Sequence, residues 1–103
     1  MNPYSHDNNS GKEEKYRSQA RIIADILEIL MEEEKATATK LLSKSNLSSN
    51  RLKKYITHLE SNGLIKSITI DNKQFYVITD KGKNYIYEFK KFQSFSEIFG
   101  ITI

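Results

Sequence analysis

Residues 48–63 read SSNRLKKYITHLESNG, and this stretch holds the start signal, the apolar stripe and the stop signal of one α-helix. Ser48 is a typical N-cap, because its hydroxyl can accept a hydrogen bond from the unpaired N–H groups of the first turn. Gly63 suits the left-handed position just past a helix end, where a side chain would clash. The pattern predicts a helix of about 14 residues, roughly 21 Å long. Its apolar stripe consists of Leu52, Tyr55, Ile56 and Leu59.

The face opposite that stripe is polar and cationic. Its centre carries Asn50, Lys54, Thr57 and Ser61, and its flanks carry Lys53 on one side and Arg51 with His58 on the other. A helix of this size fits the major groove of B-DNA, which is about 12 Å wide. The stretch therefore predicts a recognition helix. The alternative is a solvated lysine-rich face, which is common in soluble proteins of any function.

The positive charge of the chain is concentrated around the same helix. The whole sequence has 16 Lys and Arg residues against 13 Asp and Glu residues, a net charge of +3. Residues 35–66 hold seven basic groups against one acid, Glu60, for a net charge of +6, whereas residues 13–34 have a net charge of −4. Such localisation is typical of a protein that binds a polyanion.

Composition excludes several other classes of protein. The chain has no cysteine, which excludes disulfides, thiolate zinc sites and cysteine nucleophiles, and this fits a cytoplasmic location. No apolar run approaches 18 residues, so we expect neither a membrane span nor a signal peptide. The motifs H-E-x-x-H, G-x-x-x-x-G-K-[ST] and G-x-S-x-G are absent. We therefore expect no enzyme, no metal and no cofactor, and no residue set suggests a small-molecule ligand.

The segment before the recognition helix divides into an arm and a long helix. Residues 1–12 are polar, contain Pro and Gly, and show no periodicity, which predicts a disordered N-terminal arm. From about Tyr16 to Glu34 the pattern is helical, with an apolar arc of about 160° that is wide enough to contact two neighbours. The arc is formed by Ile22, Ile23, Ile26, Leu27, Ile29 and Leu30.

A short second helix precedes the recognition helix. Thr37 can cap a helix over residues 38–44, with Leu41 and Leu42 as its core residues. Residues 45–46 make the turn, since Asn tolerates the left-handed region. Leu47 can then pack onto the following helix, as in a hydrophobic staple. This arrangement predicts a helix-turn-helix, with the two leucines and Leu47 filling the angle between its helices.

After Gly63 the period of the pattern changes from helical to alternating. Residues 64–70 are rich in β-branched residues, residues 71–73 (DNK) supply turn chemistry, and residues 74–78 return as a second strand. The tip of this hairpin is expected to project as a wing. Thr79 can cap a last helix that starts near Asp80.

The final helix carries more apolar surface than one small core needs. We predict a homodimer through this helix and the tail, because exposed patches of this kind usually mark association surfaces. The alternative is a helix that folds back and completes its own core. We predict three regions: the arm at residues 1–12, a winged domain at 13–79 and a dimerisation segment at 80–103. The dimerisation residues are expected to be Tyr85, Ile86, Phe89, Phe92, Phe95 and Phe99.

Two strings carry a family resemblance. They are Leu52-x-x-Tyr55-Ile56-x-x-Leu59-x-x-x-Gly63-Leu64-Ile65 and Tyr76-x-Ile78-Thr79-x-Lys81-Gly82. In order and spacing they resemble the small winged-helix regulators common in archaea, of the type whose C-terminal helices pair as an antiparallel coiled coil in a dimer. The resemblance covers about residues 18–93. The chain departs from that type in its short, Phe-rich final helix, which lacks several heptads.

The resemblance implies an α+β, mostly helical fold of three helices, a two-stranded wing and a C-terminal dimerisation helix. It also implies binding of double-stranded DNA, with the third helix in the major groove. Asn50 is the candidate for reading a base, since an amide can pair bidentately with adenine. The alternatives are a sequence-neutral architectural DNA-binding protein and a winged helix used for protein contact. The DNA-contact candidates are Thr39, Lys40, Ser49, Asn50, Arg51, Lys53, Lys54, Thr57, Asn72 and Lys73.

Overall fold

The computed structural model describes residues 17–103 and shows four helices and one two-stranded antiparallel sheet in that part of the chain. The predicted fold class, mostly helical with a hairpin wing and a C-terminal helix, is confirmed. The predicted arm at residues 1–12 lies outside the described residues. In chain order the elements are α1 (Gln19–Glu33), α2 (Ala38–Ser45), α3 (Ser49–Ser61), β1 (Ile65–Ile70), β2 (Lys73–Ile78) and α4 (Asp80–Ile98).

A hydroxyl side chain caps the N-terminus of each of these four helices. The predicted caps Thr37, Ser48 and Thr79 are confirmed, since each accepts a hydrogen bond from the backbone N–H three residues on. Ser18 does the same for α1, with its Oγ 3.0 Å from the amide nitrogen of Arg21. The first helix therefore begins at Gln19 rather than near residue 16, because the residue at a cap has an extended backbone.

The core is built around α1. All six of the apolar α1 residues predicted to line its wide arc are buried. The helix contacts α2, β2 and α4, so it has three packing neighbours rather than the two expected from the arc. Side chains from the other elements complete the cluster, among them Leu41, Leu59 and Ile65. Burial of each such side chain contributes about 1.5–3 kcal/mol relative to its exposure.

The helix-turn-helix forms as predicted except at one leucine. Leu41 and Leu47 are buried between the helices, and Asn46 ends α2 in the left-handed conformation with φ 62°. Leu42, in contrast, is 36% exposed, so its prediction as a core residue is wrong. Consecutive residues lie about 100° apart on a helix, and this eight-residue helix turns only one narrow face to the core.

The wing is a hairpin with a two-residue turn. Ile70 pairs with Lys73, which leaves Asp71 and Asn72 as the turn, at φ 51° and 65°. Positive φ at both positions is typical of the tight turns that suit twisted hairpins. Lys73 is therefore the first residue of β2 and not part of the turn. Two backbone hydrogen bonds between Ala36 and Tyr76, of 3.1 and 2.8 Å, also attach the segment after α1 to the sheet.

Helix α4 starts against the wing and then runs beside α1. At its first turn Gly82 approaches the chain so closely that a Cβ there would lie 2.3 Å from the carbonyl oxygen of Leu64. Further along, the Tyr85 hydroxyl donates to the Ala20 carbonyl at 2.8 Å, and Lys90 pairs with Glu28 at 3.1 Å. These contacts dock the first half of α4 onto the domain.

Candidate nucleic-acid interface

Helix α3 is anchored on one side and free on the other. Leu52, Ile56 and Leu59 are buried, and Tyr55 is half-buried against the same core. Because these residues share one face of the helix, the opposite face must point outward. The predicted contact residues on α3 are all exposed there: Ser49, Asn50, Arg51, Lys53, Lys54 and Thr57.

The cations on this face have no partners among the residues that the structure describes. Among residues 17–103, no acceptor lies within hydrogen-bond or ion-pair distance of the side-chain nitrogens of Arg51, Lys53 or Lys54. The single acid of the helix, Glu60, lies near its C-terminal end. A phosphate could therefore bind these side chains without breaking any contact of the fold.

Lys44, unlike the α3 cations, is already paired with an acidic side chain of the protein. Its amino group lies 2.8 Å from the Glu33 carboxylate. The hydrogen bond and the opposite charge raise the pKa of Lys44 and lower the pKa of Glu33. This lysine joins α2 to the end of α1, whereas Lys40 on the same helix is exposed and has no such partner in the described chain.

The other predicted DNA-contact residues also lie on the surface. Thr39 and Lys40 are exposed in the first turn of α2, and Asn72 and Lys73 are exposed at the tip of the wing. The structure therefore brings all ten predicted residues to the surface of α2, α3 and the hairpin. None of them is needed to fill the core.

Sequence reasoning missed a set of residues beside the outer face of α3. Gln19 and Ile23 of α1 form a shallow pocket with Arg51, Tyr55 and their neighbours on α3. The α3 members recur three or four residues apart, which is a visible signal in the sequence. The α1 members give no such signal, because their position depends on how the two helices pack.

The six residues predicted for dimerisation divide into two groups. Tyr85 and Ile86 pack against the core, and Phe89 is only 8% exposed inside this chain. The other three point to solvent, with exposures of 55% for Phe92, 58% for Phe95 and 65% for Phe99. The second half of α4 therefore presents aromatic side chains that remain more than half exposed, although the Phe95 and Phe99 rings contact each other with their centroids 5.1 Å apart.

Comparison with known proteins identifies the family. The sequence profile described as winged helix-turn-helix matches residues 16–97. The chain belongs to the winged helix-turn-helix family. This winged-helix protein is also 36% identical over 95 residues to an uncharacterized protein of Methanocaldococcus jannaschii, covering 91% of this chain and 87% of the relative.

Solved structures of one DNA-binding protein and of two transcriptional regulators are similar to this chain in fold. Sso10a-2, a DNA-binding protein from Sulfolobus solfataricus, matches with a TM-score of 0.71 and 25% identity, over 81% of this chain and 85% of that one. BldR, a transcriptional regulator from the same organism, matches with a TM-score of 0.58 and 21% identity. That match covers 65% of this chain and 50% of BldR. Sco3205, a MarR family regulator from Streptomyces coelicolor solved in complex with DNA, matches with a TM-score of 0.58 and 22% identity. That match covers 64% of this chain and 44% of Sco3205. The last two likenesses concern the fold alone.

The described residues show neither a membrane-spanning helix nor a cluster of metal ligands. None of the helices in residues 17–103 is long and apolar enough to cross a membrane. The same residues contain no group of three or more His, Cys, Asp or Glu side chains placed to hold a metal ion.

Proposed function

We propose that this winged-helix protein binds double-stranded DNA and acts as a dimeric transcriptional regulator, with α3 in the major groove and the wing on the backbone. The observation that carries the proposal is the outer face of α3. Arg51, Lys53 and Lys54 are exposed there without partners in the described chain, on a helix held from behind by buried apolar residues. A protein-contact module would not need an unneutralised cationic face at this position.

The side chains on α3 have different proposed roles. Asn50 is the second residue of the helix, near the end that enters a groove in helix-turn-helix complexes, and its amide can pair bidentately with adenine. Arg51, Lys53 and Lys54 hold phosphates, which supplies affinity without reading the sequence. Ser49 and Thr57 complete the surface that faces the groove.

Contacts on either side of α3 would fix its orientation. Thr39 and Lys40 in the first turn of α2 contact the backbone on one side of the groove, as the first helix of a helix-turn-helix does. Asn72 and Lys73 at the wing tip contact it on the other. The two backbone hydrogen bonds between Ala36 and Tyr76 attach β2 to the segment after α1, so the base of the wing is held while its tip projects.

The similar structures add support from outside the chain. Sso10a-2 is described as a DNA-binding protein, BldR as a transcriptional regulator, and Sco3205 was solved with DNA. The match to Sso10a-2 spans most of both chains, so the same elements that surround α3 are present in each. We infer a DNA-binding role for this chain from that match together with its own charge distribution.

The dimer is proposed from the second half of α4. Taking 100° per residue, Phe92 and Phe99 continue the stripe that Tyr85 and Phe89 begin, and both are more than half exposed. They remain so although the tail returns to α1, where the Ile103 carbonyl accepts a hydrogen bond from Arg21 at 3.4 Å. An exposed aromatic stripe next to a docked one is expected to pack against a second copy. Two α3 helices would then lie on one DNA face, about 34 Å apart if they enter successive major grooves.

One observation favours sequence-neutral architectural binding as the second candidate. The outer face of α3 has a single arginine. The other groove-facing positions without a positive charge carry short polar side chains: Ser49, Asn50 and Thr57. Bidentate arginine–guanine contacts, the commonest source of specificity, are therefore limited to one position. An architectural protein would use the same lysines on any duplex.

Selection of bound duplexes from a random pool, followed by binding measured against salt, tests the proposal. A regulator should enrich one motif, as paired half-sites if it is a dimer, whereas an architectural protein should enrich none. Asn50→Ala should reduce the preference for that motif over random duplex, and the exposed Ser61→Ala on the same face serves as a matched control. Duplex binding that does not change with salt would contradict the proposal. Five phosphate contacts require a slope of about −4.5 in a plot of log binding constant against log salt concentration.

A further inference from the structure

A pocket of about 340 Å³ lies between the start of α1 and one edge of α3. Its apolar part is formed by Ile23, which is nearly buried, and by the half-buried ring of Tyr55. The rest of the lining consists of hydrogen-bond donors and cations, and no carboxylate takes part. The lining residues are Gln19, Ile23, Arg51, Lys54, Tyr55 and His58.

Three nitrogen-bearing side chains enter the pocket from α3. Arg51, Lys54 and His58 are spaced three and four residues apart, so they lie along one edge of the helix. The side chains of Arg51 and Lys54 have no acceptor among residues 17–103. The amide nitrogen of Asn62 lies 3.4 Å from Nδ1 of His58. The same amide nitrogen donates to the backbone carbonyl of His58 at 2.8 Å. A neutral imidazole that accepts from this amide at Nδ1 carries its proton on Nε2, where it can donate to a ligand.

The N-terminus of α1 adds positive electrostatic potential beside these side chains. Gln19 is the first residue of α1, and the Ser18 hydroxyl accepts from Arg21, which leaves the N–H groups of Gln19 and Ala20 without an acceptor in the described chain. Unpaired N–H groups at a helix start carry a partial positive charge. Gln19, at the positive end of α1, and three cationic or donor side chains of α3 therefore line one concavity.

We propose that this pocket binds a phosphate group, with Arg51 and Lys54 supplying charge, His58 donating from Nε2 and Gln19 closing the α1 side. A phosphate matches the site because several converging donors can each bond one of its oxygens, and charged pairs of this kind form the strongest hydrogen bonds. The phosphate can come from the DNA backbone beside the groove, which rests on the proposed function, or from a free phosphate compound. Either source gives Arg51 and Lys54 a defined phosphate position at the edge of α3 and adds His58 and Gln19, which the proposed interface does not use, to the residues that contact it.

The first experiment uses the whole chain and inorganic phosphate. NMR spectra of the histidine rings are recorded as phosphate replaces chloride at fixed pH and fixed ionic strength, with His58→Gln used to assign the signals. The His58 signals should shift and saturate, while those of His6 should not. Lys54→Gln should weaken this binding roughly tenfold, as expected for loss of one charged hydrogen bond, and Lys83→Gln, an exposed lysine on α4, should leave it unchanged. Equal, unsaturating shifts of both histidines would overturn the proposal.

The second experiment separates the two sources of phosphate. Duplex binding is measured at matched ionic strength in chloride and in phosphate, for the wild type and for His58→Gln. If DNA supplies the phosphate, free phosphate should compete with the duplex, and His58→Gln should remove that competition and weaken duplex binding. If duplex binding is unaffected by His58→Gln while the NMR shift is present, a free phosphate compound is the source and the pocket stands. A wild type that binds no duplex refutes the proposed function alone, because the NMR result still decides the pocket.

Discussion

Replacing Lys53 and Lys54 together with glutamine should weaken duplex binding and flatten its salt dependence. The proposed interface has five exposed cations without partners in the described chain, Lys40, Arg51, Lys53, Lys54 and Lys73. Each phosphate contact contributes about 0.9 to the log–log slope, so the slope per protomer should change from about −4.5 to about −2.7. Two contacts of this size correspond to a loss of roughly 60-fold at about 0.1 M salt.

The measurement is fluorescence anisotropy of a labelled mixed-sequence duplex across a salt series. Both side chains are exposed and bond nothing in residues 17–103, so the variant should unfold at the same urea concentration as the wild type. The matched control is Lys83→Gln with Lys91→Gln, which removes the same charge from α4 and should leave the slope unchanged. If the slope stays near its wild-type value, or if the control changes it equally, the assignment of phosphate contacts to α3 is refuted.

Three further predictions concern stability and assembly. Gly82→Ala should destabilise the fold by at least about 2 kcal/mol in urea unfolding, because its Cβ would meet the backbone oxygen of Leu64 at 2.3 Å. Phe95→Ser with Phe99→Ser should convert the dimer to a monomer in sedimentation equilibrium, since both rings are exposed on α4. Tyr85→Phe should lose about 1 kcal/mol near neutral pH through its missing hydrogen bond to α1. Burial raises the pKa of the Tyr85 phenol, so the folded state favours its neutral form. Stability should therefore fall as pH rises above about 10, and less steeply in Tyr85→Phe.

Each of these predictions has a control and a contrary result. Asn84→Ala, an exposed position on α4, should leave unfolding unchanged, and an equal loss there would remove the steric explanation for Gly82. Tyr87 is exposed on α4 outside the Phe stripe, so Tyr87→Ser should leave the dimer intact. A wild type that sediments at the mass of one chain would contradict the dimer itself. Equal alkaline destabilisation of wild type and Tyr85→Phe would show that Tyr85 does not cause it.

Local signals in the sequence are enough to place most elements of this fold. Ser48 and Gly63 bound α3 correctly because caps and left-handed stops depend on backbone atoms only a few residues away. The same reasoning places Thr37, Asn46 and Thr79, each of which satisfies or redirects a nearby backbone group. The exposure of the α3 cations also follows locally, since the buried stripe fixes the opposite face.

Features that depend on contacts between distant segments are harder to predict. Leu42 looks like its neighbour Leu41, and which of the two is buried depends on the face that α2 turns to the rest of the fold. Phe89 belongs to the same aromatic run as Phe92, yet it is 8% exposed while Phe92 is 55% exposed, and the run itself does not reveal this difference. The phosphate pocket combines α1 with α3, so spacing along either helix alone reveals only half of it.

The hydroxyl of Thr79 links the end of α3 to the start of α4. It donates to the Gly63 carbonyl at 2.6 Å while accepting from the Gly82 amide at 3.1 Å, and the amino group of Lys81 bonds the Asn62 carbonyl at 2.7 Å. Because these hydrogen bonds join the two helix ends, a tilt of α4 would also move the end of α3. In the proposed dimer, a molecule that repositioned the two α4 helices would thus change the distance between the two α3 helices from a point far from the proposed DNA contact.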